Sequence, residues 1–372
     1  MTSTDYSPGL AGVTAGETSI ACVEQGTLTY RGYKIADLAE HACFEEVAHL
    51  LIYETLPTSA QLAQFRETLM SYRSLPKDVV QTIRAIPTNV PMMDVLRTGV
   101  SMAGHFDPVK GEDSDDLRRR AVWLTAVIGS IIPARYRFLN GKEPIEPKPG
   151  LSHASQILFQ CHNEVPDETS SHLLDLTLIL YAEHEFNAST FASRVCKSTM
   201  SDMVSSVVCG IGTLKGPLHG GANERAMEML EQFKTPEEAT KWIRGAFDRK
   251  EKVMGFGHRV YKHGDHRARI LEQELRKLAE VKKAQNLMAI YDAIKDPMEN
   301  EKKIYPNVDF PCGLTYYLLG LPIDLYTPLF VASRVTGWCA HIIEQASDNK
   351  LYRPLSQYKG PAERPVTPIE KR

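Results

Sequence analysis

Cysteine is sparse and unpatterned in this chain: seven residues in 372, odd in number, with no CxxC pair. That excludes a disulfide scaffold, predicts a reducing compartment and leaves no structural zinc site. Charge of one sign is absent as well. Lys and Arg total 43 against 46 Asp and Glu, a formal charge of −3, so no global basic excess points to nucleic acid. Glycine (24) and proline (22) stand at ordinary levels, which excludes a collagen-like or disordered chain. Long apolar runs are missing too. The best candidate, Leu314 to Ala332, is broken by Pro322, Asp324 and Pro328, and Ala121 to Ala134 is too short. A membrane span needs about 20 apolar residues, so two buried segments are expected in the former. Met1 to Gly9 is polar and lacks a basic-then-apolar leader pattern. The expectation is a soluble, cytoplasmic protein.

Strand-like alternation occurs only near the start. Ile20 and Cys22 face one way and Leu28 and Tyr30 likewise, with Glu24-Gln25-Gly26 between them, which reads as a small hairpin. Helical spacing dominates thereafter. Phe44, Val47, Ala48, Leu51 and Ile52 form one apolar stripe. Thr58 can cap the next helix. A helix over Asp115 to Tyr136 is expected to bend or end at Pro133. Leu173 to Ala182, apolar nearly all round, reads as a core helix. Thr235-Pro236-Glu237-Glu238 is a strong helix start. Asp265 can cap a helix carrying Ile270, Leu271, Leu275, Leu278 and Val281, and Thr327-Pro328 opens another towards Gln345. Beyond Pro354 the chain is polar and Pro-rich, an extended tail. Gly220-Gly221 and Gly320 could serve as hinges around a middle segment of the chain.

Four polar clusters interrupt these helices. Glu183-His184-Glu185-Phe186-Asn187-Ala188-Ser189 follows the most apolar helix. No HExxH or comparable ligand spacing accompanies it, so metal chemistry has no support. Lys215-Gly216-Pro217-Leu218-His219-Gly220-Gly221-Ala222-Asn223 lets backbone approach a ligand closely. A plain turn explains its glycines but not its histidine. His219 precedes an expected helix, Asn223 to Phe233, whose N-terminus favours a neutral imidazole. Gly255-Phe256-Gly257-His258-Arg259-Val260-Tyr261-Lys262, with Lys252 before it and Arg267 after it, follows a charged helix rather than a strand. It is therefore no dinucleotide fingerprint; it is either a basic surface loop or a seat for a phosphate-bearing ligand. In Asn307-Val308-Asp309-Phe310-Pro311, apolar neighbours would desolvate the carboxylate and make it a better base. Arg334, mid-helix among Val331, Val335 and Trp338, calls for an anionic partner. Arg353, before Pro354, could be a second carboxylate clamp. Arginines for a dicarboxylate, histidines for carbonyls and a carboxylate for a proton next to a carbonyl make one coherent set.

In order and nearly in full, these segments resemble the citrate synthase family: GPLHGGAN, GFGHRVYK with its downstream Arg, NVDF, and ASR followed by YRP. The likeness runs from Tyr30-Arg31-Gly32-Tyr33 to Gly360-Pro361, and AEHEFNASTFASRV resembles the short bacterial type. One departure is Asp265-His266-Arg267, where the family usually has Pro or Ser at the middle position.

The resemblance implies an all-α homodimer. Its large domain would span 1–220 plus 321–372, its small domain 221–320, and a small β-hairpin would lie near the start. It implies condensation of acetyl-CoA with oxaloacetate and water to give citrate and CoA, with no metal and no redox cofactor. Asp309 matches the general base, His219 the neutral imidazole at the enol oxygen, and His258 the group polarising the oxaloacetate ketone. His184, Asn187, Arg267 and Arg334 match oxaloacetate ligands, and Arg353 matches one lent by the other subunit. Met254, Gly255, Phe256, Gly257, Lys262 and Asn307 match the coenzyme A segment. Pro311-Cys312 is similar to members able to use propionyl-CoA, which would give 2-methylcitrate. The two thioesters differ by one methylene, worth about 1–3 kcal/mol. A helical binding protein that keeps a dead enzyme fold is the rival of another class, but His219, His258 and Asp309 are all present.

Overall fold

A computed structural model describes residues 7–24, 27–258, 261 and 264–372. Sixteen α-helices and three short strands run through them. The expected hairpin is a three-stranded antiparallel sheet of Ala21–Glu24, Thr27–Tyr30 and Tyr33–Lys34. Its register corrects one expectation: Ala21 pairs with Tyr30 and Val23 with Leu28, so Cys22 lies opposite Thr29, on the other face from Leu28 and Tyr30. A shift by one residue exchanges the two faces of a strand.

Two long helices form the centre. Ser114–Leu139 is buried continuously from Arg120 to Arg135 and packs along Tyr326–Ser347, itself buried over most of its length. The first helix does not end at Pro133 but continues through it to Leu139. An interior proline costs about 3 kcal/mol. Burial of Val127, Ile128, Ile131 and Ile132, each worth about 1.5–3 kcal/mol, outweighs that loss. The remaining starts follow the sequence. Thr58 accepts the backbone N–H of Gln61, Thr235 that of Glu238, and Asp265 that of Arg267. The Leu314 to Ala332 run divides between two α-helices, the end of Asp309–Leu318 and the beginning of Tyr326–Ser347, with a single 3-10 turn at Ile323–Leu325 between them. None of the helices is long and apolar enough to cross a membrane, among the described residues.

Between Gly221 and Gly320, five helices pack mainly on one another: Ala222–Leu230, Pro236–Asp248, His266–Val281, Gln285–Pro297 and Asp309–Leu318. His266–Val281 and Asp309–Leu318 also rest on the core helix Glu168–Tyr181. Both bracketing glycines, Gly221 at φ 75° and Gly320 at φ 74°, occupy the left-handed region, where a side chain would be strained. From Lys350 on, the tail is exposed and without helix until a single turn at Ile369–Lys371.

Candidate active site

The segment after the core helix is held from two sides. Glu168–Tyr181 ends at Tyr181, and the chain turns through Glu185 at φ 48° before Asn187 caps Ala188–Ser198. From the sheet, the Tyr30 hydroxyl bonds the Ile179 and Glu183 carbonyls, each at 3.1 Å. Val23 N–H adds a bond to Glu185 Oε1 at 2.7 Å. From the other side, Gly337 brings Tyr326–Ser347 so close that a Cβ there would stand 2.3 Å from the Ala182 carbonyl oxygen. Tertiary contacts therefore fix a loop that carries His184 and Asn187.

Around this loop lies a cavity of about 590 Å³, within the usual range for a small-molecule site. His184, Asn187, His219, His258, Arg267, Asn307, Asp309 and Arg334 line it, together with Gly257 and Lys252. Residues far apart in sequence are thus gathered in one place. Arg353 is exposed on the tail and is not among the lining residues. Of the other residues in the coenzyme A segment, Phe256 turns inward and meets Phe310 at 4.5 Å between ring centroids. Gly255, at φ 82°, leaves no room for a side chain against Phe310. Met254 is half-buried outside the lining, and Lys262 lies outside the described residues. This loop is pinned to the strand-like stretch ahead of Asp309. Gly257 N–H donates to the Tyr305 carbonyl at 2.8 Å, and Asn307 N–H to the Gly255 carbonyl at 2.9 Å. His258 and Asp309 are therefore held in register with each other.

Hydrogen bonds assign the histidine tautomers. Ser189 donates its backbone N–H to His219 Nε2 at 3.2 Å, so Nε2 is an acceptor and the proton sits on Nδ1. Ser189 Oγ, which lies 2.8 Å from Nε2, also accepts the Trp338 indole N–H at 3.1 Å. Burial and then the Arg334 charge push the His219 pKa down to about 4. Desolvation and a neighbouring cation, rather than a helix end, are what favour a neutral imidazole here. His184, held by the Tyr261 hydroxyl at 3.0 Å, is also driven well below the ordinary range, by burial and then Arg267. Tyr261 N–H donates to His258 Nδ1 at 3.3 Å, which leaves Nε2 as the proton-bearing nitrogen.

The two buried arginines differ. Arg267 faces Asp265 at 2.8 and 3.0 Å. Burial pulls its pKa down, but the Asp265 carboxylate more than offsets this and the net direction is up. Arg334 donates Nε–H to the Tyr181 carbonyl at 2.7 Å and packs over Phe330. No carboxylate lies within ion-pair distance of it among the described residues, and burial lowers its pKa. It is a desolvated cation at a cavity wall, and an incoming carboxylate would offset that cost. Asp309 opens its helix, and burial raises its pKa. Its Oδ1 accepts the Tyr181 hydroxyl at 2.6 Å. Sequence reasoning missed Tyr181, Ser189 as the tautomer-setting group, and Phe330. Only Phe330 carried a signal, four residues before an out-of-place arginine. No group of three or more His, Cys, Asp or Glu is placed to hold a metal ion, among the described residues.

Comparison with known proteins agrees with this geometry. A family profile described as "Citrate synthase, C-terminal domain" matches residues 9–355. The chain is 45% identical to 2-methylcitrate synthase 2 of Corynebacterium glutamicum, over 100% of this chain and 99% of that one. It is 44% identical to a citrate synthase of Mycolicibacterium smegmatis, over 96% of each. Among solved structures, a ternary complex of carboxymethyl coenzyme A and oxaloacetate with citrate synthase from Thermoplasma acidophilum matches with a TM-score of 0.92 and 34% identity, covering 98% of this chain and 99% of that one. With full-length similarity to both and a cavity lined as the motifs require, the chain belongs to the citrate synthase family.

Proposed function

We propose that the protein condenses acetyl-CoA with oxaloacetate and water to give citrate and CoA. The observation that carries this reading is the shared cavity: an unpaired buried arginine faces the same space as a desolvated carboxylate and two histidines of defined tautomer. Asp309 takes the α-proton of the thioester while His219 donates Nδ1–H to the thioester oxygen. The resulting enol carbon attacks the oxaloacetate ketone, and His258 supplies a proton to the new alkoxide. Water then adds to the citryl thioester, whose carbon–sulfur bond breaks to release CoA as the thiol. No electrons are transferred, so the balance needs no redox cofactor. Arg334, Arg267, His184 and Asn187 bind oxaloacetate. Gly257, Asn307 and Lys252, with Met254, Gly255, Phe256 and Lys262 in the same loop, form the coenzyme A side.

Propionyl-CoA, giving 2-methylcitrate, is the second reading. Relatives carrying the two names stand at 45% and 44% identity, so similarity supports both. Thiol release with oxaloacetate and each thioester tests the proposal. A kcat/KM ratio separates the two, and no release with either would overturn both. A homodimer is the expected assembly, in the cytoplasm and feeding the tricarboxylic acid cycle or a 2-methylcitrate route. Leu351, Leu355 and Tyr358 on the tail are exposed in the single chain, which supports a second copy that covers them and receives Arg353. The segment 221–320 is read as a small domain turning on Gly220-Gly221 and Gly320 to exclude water from the enol.

A further inference from the structure

We propose that Tyr181 is a positioning residue for Asp309, holding one carboxylate oxygen so that the other faces the acyl group. The proposal rests on the functional reading above. The Tyr181 hydroxyl donates to Asp309 Oδ1 at 2.6 Å, a charge-assisted distance. Asp309 Oδ2 accepts no hydrogen bond from the described residues, and Asp309 lines the cavity. One oxygen is therefore anchored and the other is left for chemistry.

The anchor is itself rigid. Tyr181 is almost fully buried, and its ring lies 4.4 Å from the Phe330 ring. Its backbone carbonyl, meanwhile, accepts the Arg334 Nε–H. One residue thus fixes the carboxylate through its side chain and the anion-binding arginine through its main chain. Tyr181 ends a core helix outside the 221–320 segment, whereas Asp309 begins a helix within it. The bond therefore joins two groups of helices where the segment rests on Glu168–Tyr181. Any relative movement of those groups changes the aim of the base.

Electrostatics add a second effect. Burial raises the Asp309 pKa, and the Tyr181 hydrogen bond works against that rise. Removing the hydroxyl makes the carboxylate hold its proton to higher pH. The base must be ionised to act, so the acidic limb of the rate profile moves upward.

The test is Tyr181→Phe, which keeps the ring and its packing, with folding checked by circular dichroism. The expected result is a kcat lower by about 10- to 100-fold, the usual worth of a hydrogen bond to a charged group. Oxaloacetate KM should change little, and the acidic limb of kcat should move to higher pH. α-Proton exchange of the thioester in heavy water should slow in parallel. A folded variant with unchanged kcat and an unmoved acidic limb overturns the positioning role. So does a loss confined to oxaloacetate KM. A wild-type protein that releases no thiol from either thioester instead overturns the functional reading, so the two failures are distinct.

Discussion

The 221–320 segment and the chain flanking it present differently paired groups to the cavity. Within the segment, Arg267 already has Asp265, and Asp265 also accepts the backbone N–H of Val308, just before the base. Arginine, carboxylate and the start of the base-bearing helix thus form one satisfied unit. On the flank, Arg334 has a carbonyl and an aromatic face but no carboxylate among the described residues. A dianion therefore gains most from the flank, where it offsets a desolvation cost that the more distant Glu183 carboxylate offsets only in part. Of the proton-transfer groups, His258 and Asp309 lie on the segment, while His219 and the Tyr181 hydroxyl that anchors Asp309 lie on the flank.

That contrast breaks first at the base. Asp309→Asn keeps the shape and can still accept the Tyr181 hydroxyl, but it cannot take a proton. We expect kcat to fall by about 10²–10⁴-fold, with oxaloacetate affinity nearly unchanged by calorimetry. A comparable loss of affinity would mean that the segment, and not the flank, carries the anion seat. Arg334→Ala is the mirror experiment. Truncating one member of a buried charge pair typically costs 2–5 kcal/mol, so oxaloacetate KM should rise by about 10²–10³-fold. Arg334→Lys keeps the charge but loses the planar fork, and should recover only part of the loss. If both variants bind oxaloacetate normally, Arg334 is a structural arginine.

How much of this was readable beforehand follows from where the signals lie. Arg334 was visible because a charge on an apolar helix breaks a local pattern, and His219 and His258 because glycines surround them. The helix starts at Thr58, Thr235 and Asp265 were legible for the same local reason. Tyr181 was not: at the end of an apolar helix it reads as core, and its partner is Asp309, distant in sequence. The tautomer of His219 depends on Ser189, and that of His258 on a backbone N–H; no spacing rule encodes either contact. Pro133 does not end its helix because a local helix-breaking tendency is outweighed by tertiary burial. The inward turn of Phe256 is a packing outcome against Phe310, invisible in a motif that treats each position alike.

Arg353 sharpens the comparison from outside the single chain. It belongs to the same resemblance as Arg334 but is exposed and away from the cavity. If the tail reaches a neighbouring copy, Arg353→Ala should cost nearly as much in oxaloacetate KM as Arg334→Ala. Mixing it with an inactive His258→Ala protein should then restore activity. Each mixed dimer would hold one site with its own His258 and its neighbour's Arg353. With random subunit exchange, about a quarter of the wild-type sites should return. No recovery despite demonstrated exchange would mean that each subunit uses its own tail.

The smallest expected effect compares two helix caps, one on each side of the divide. Thr235 caps Pro236–Asp248 within the segment, away from the cavity, by accepting the Glu238 N–H. Asn187 caps Ala188–Ser198 at the cavity, where Oδ1 accepts both the Thr190 N–H and the Ser189 hydroxyl. Losing either cap should cost about 1 kcal/mol of stability, seen as a small fall in denaturation midpoint. The two should part in catalysis. Thr235→Ala leaves every group at the cavity in place, so kcat should be unchanged. Asn187→Ala frees the Ser189 hydroxyl, which sits 2.8 Å from His219 Nε2, and it also removes a polar group from the cavity wall. Its kcat should fall severalfold for the same loss of stability. Equal kinetic effects from the two variants would mean that the cap at the cavity acts only through the stability of its helix, and that Ser189 holds His219 without help from Asn187.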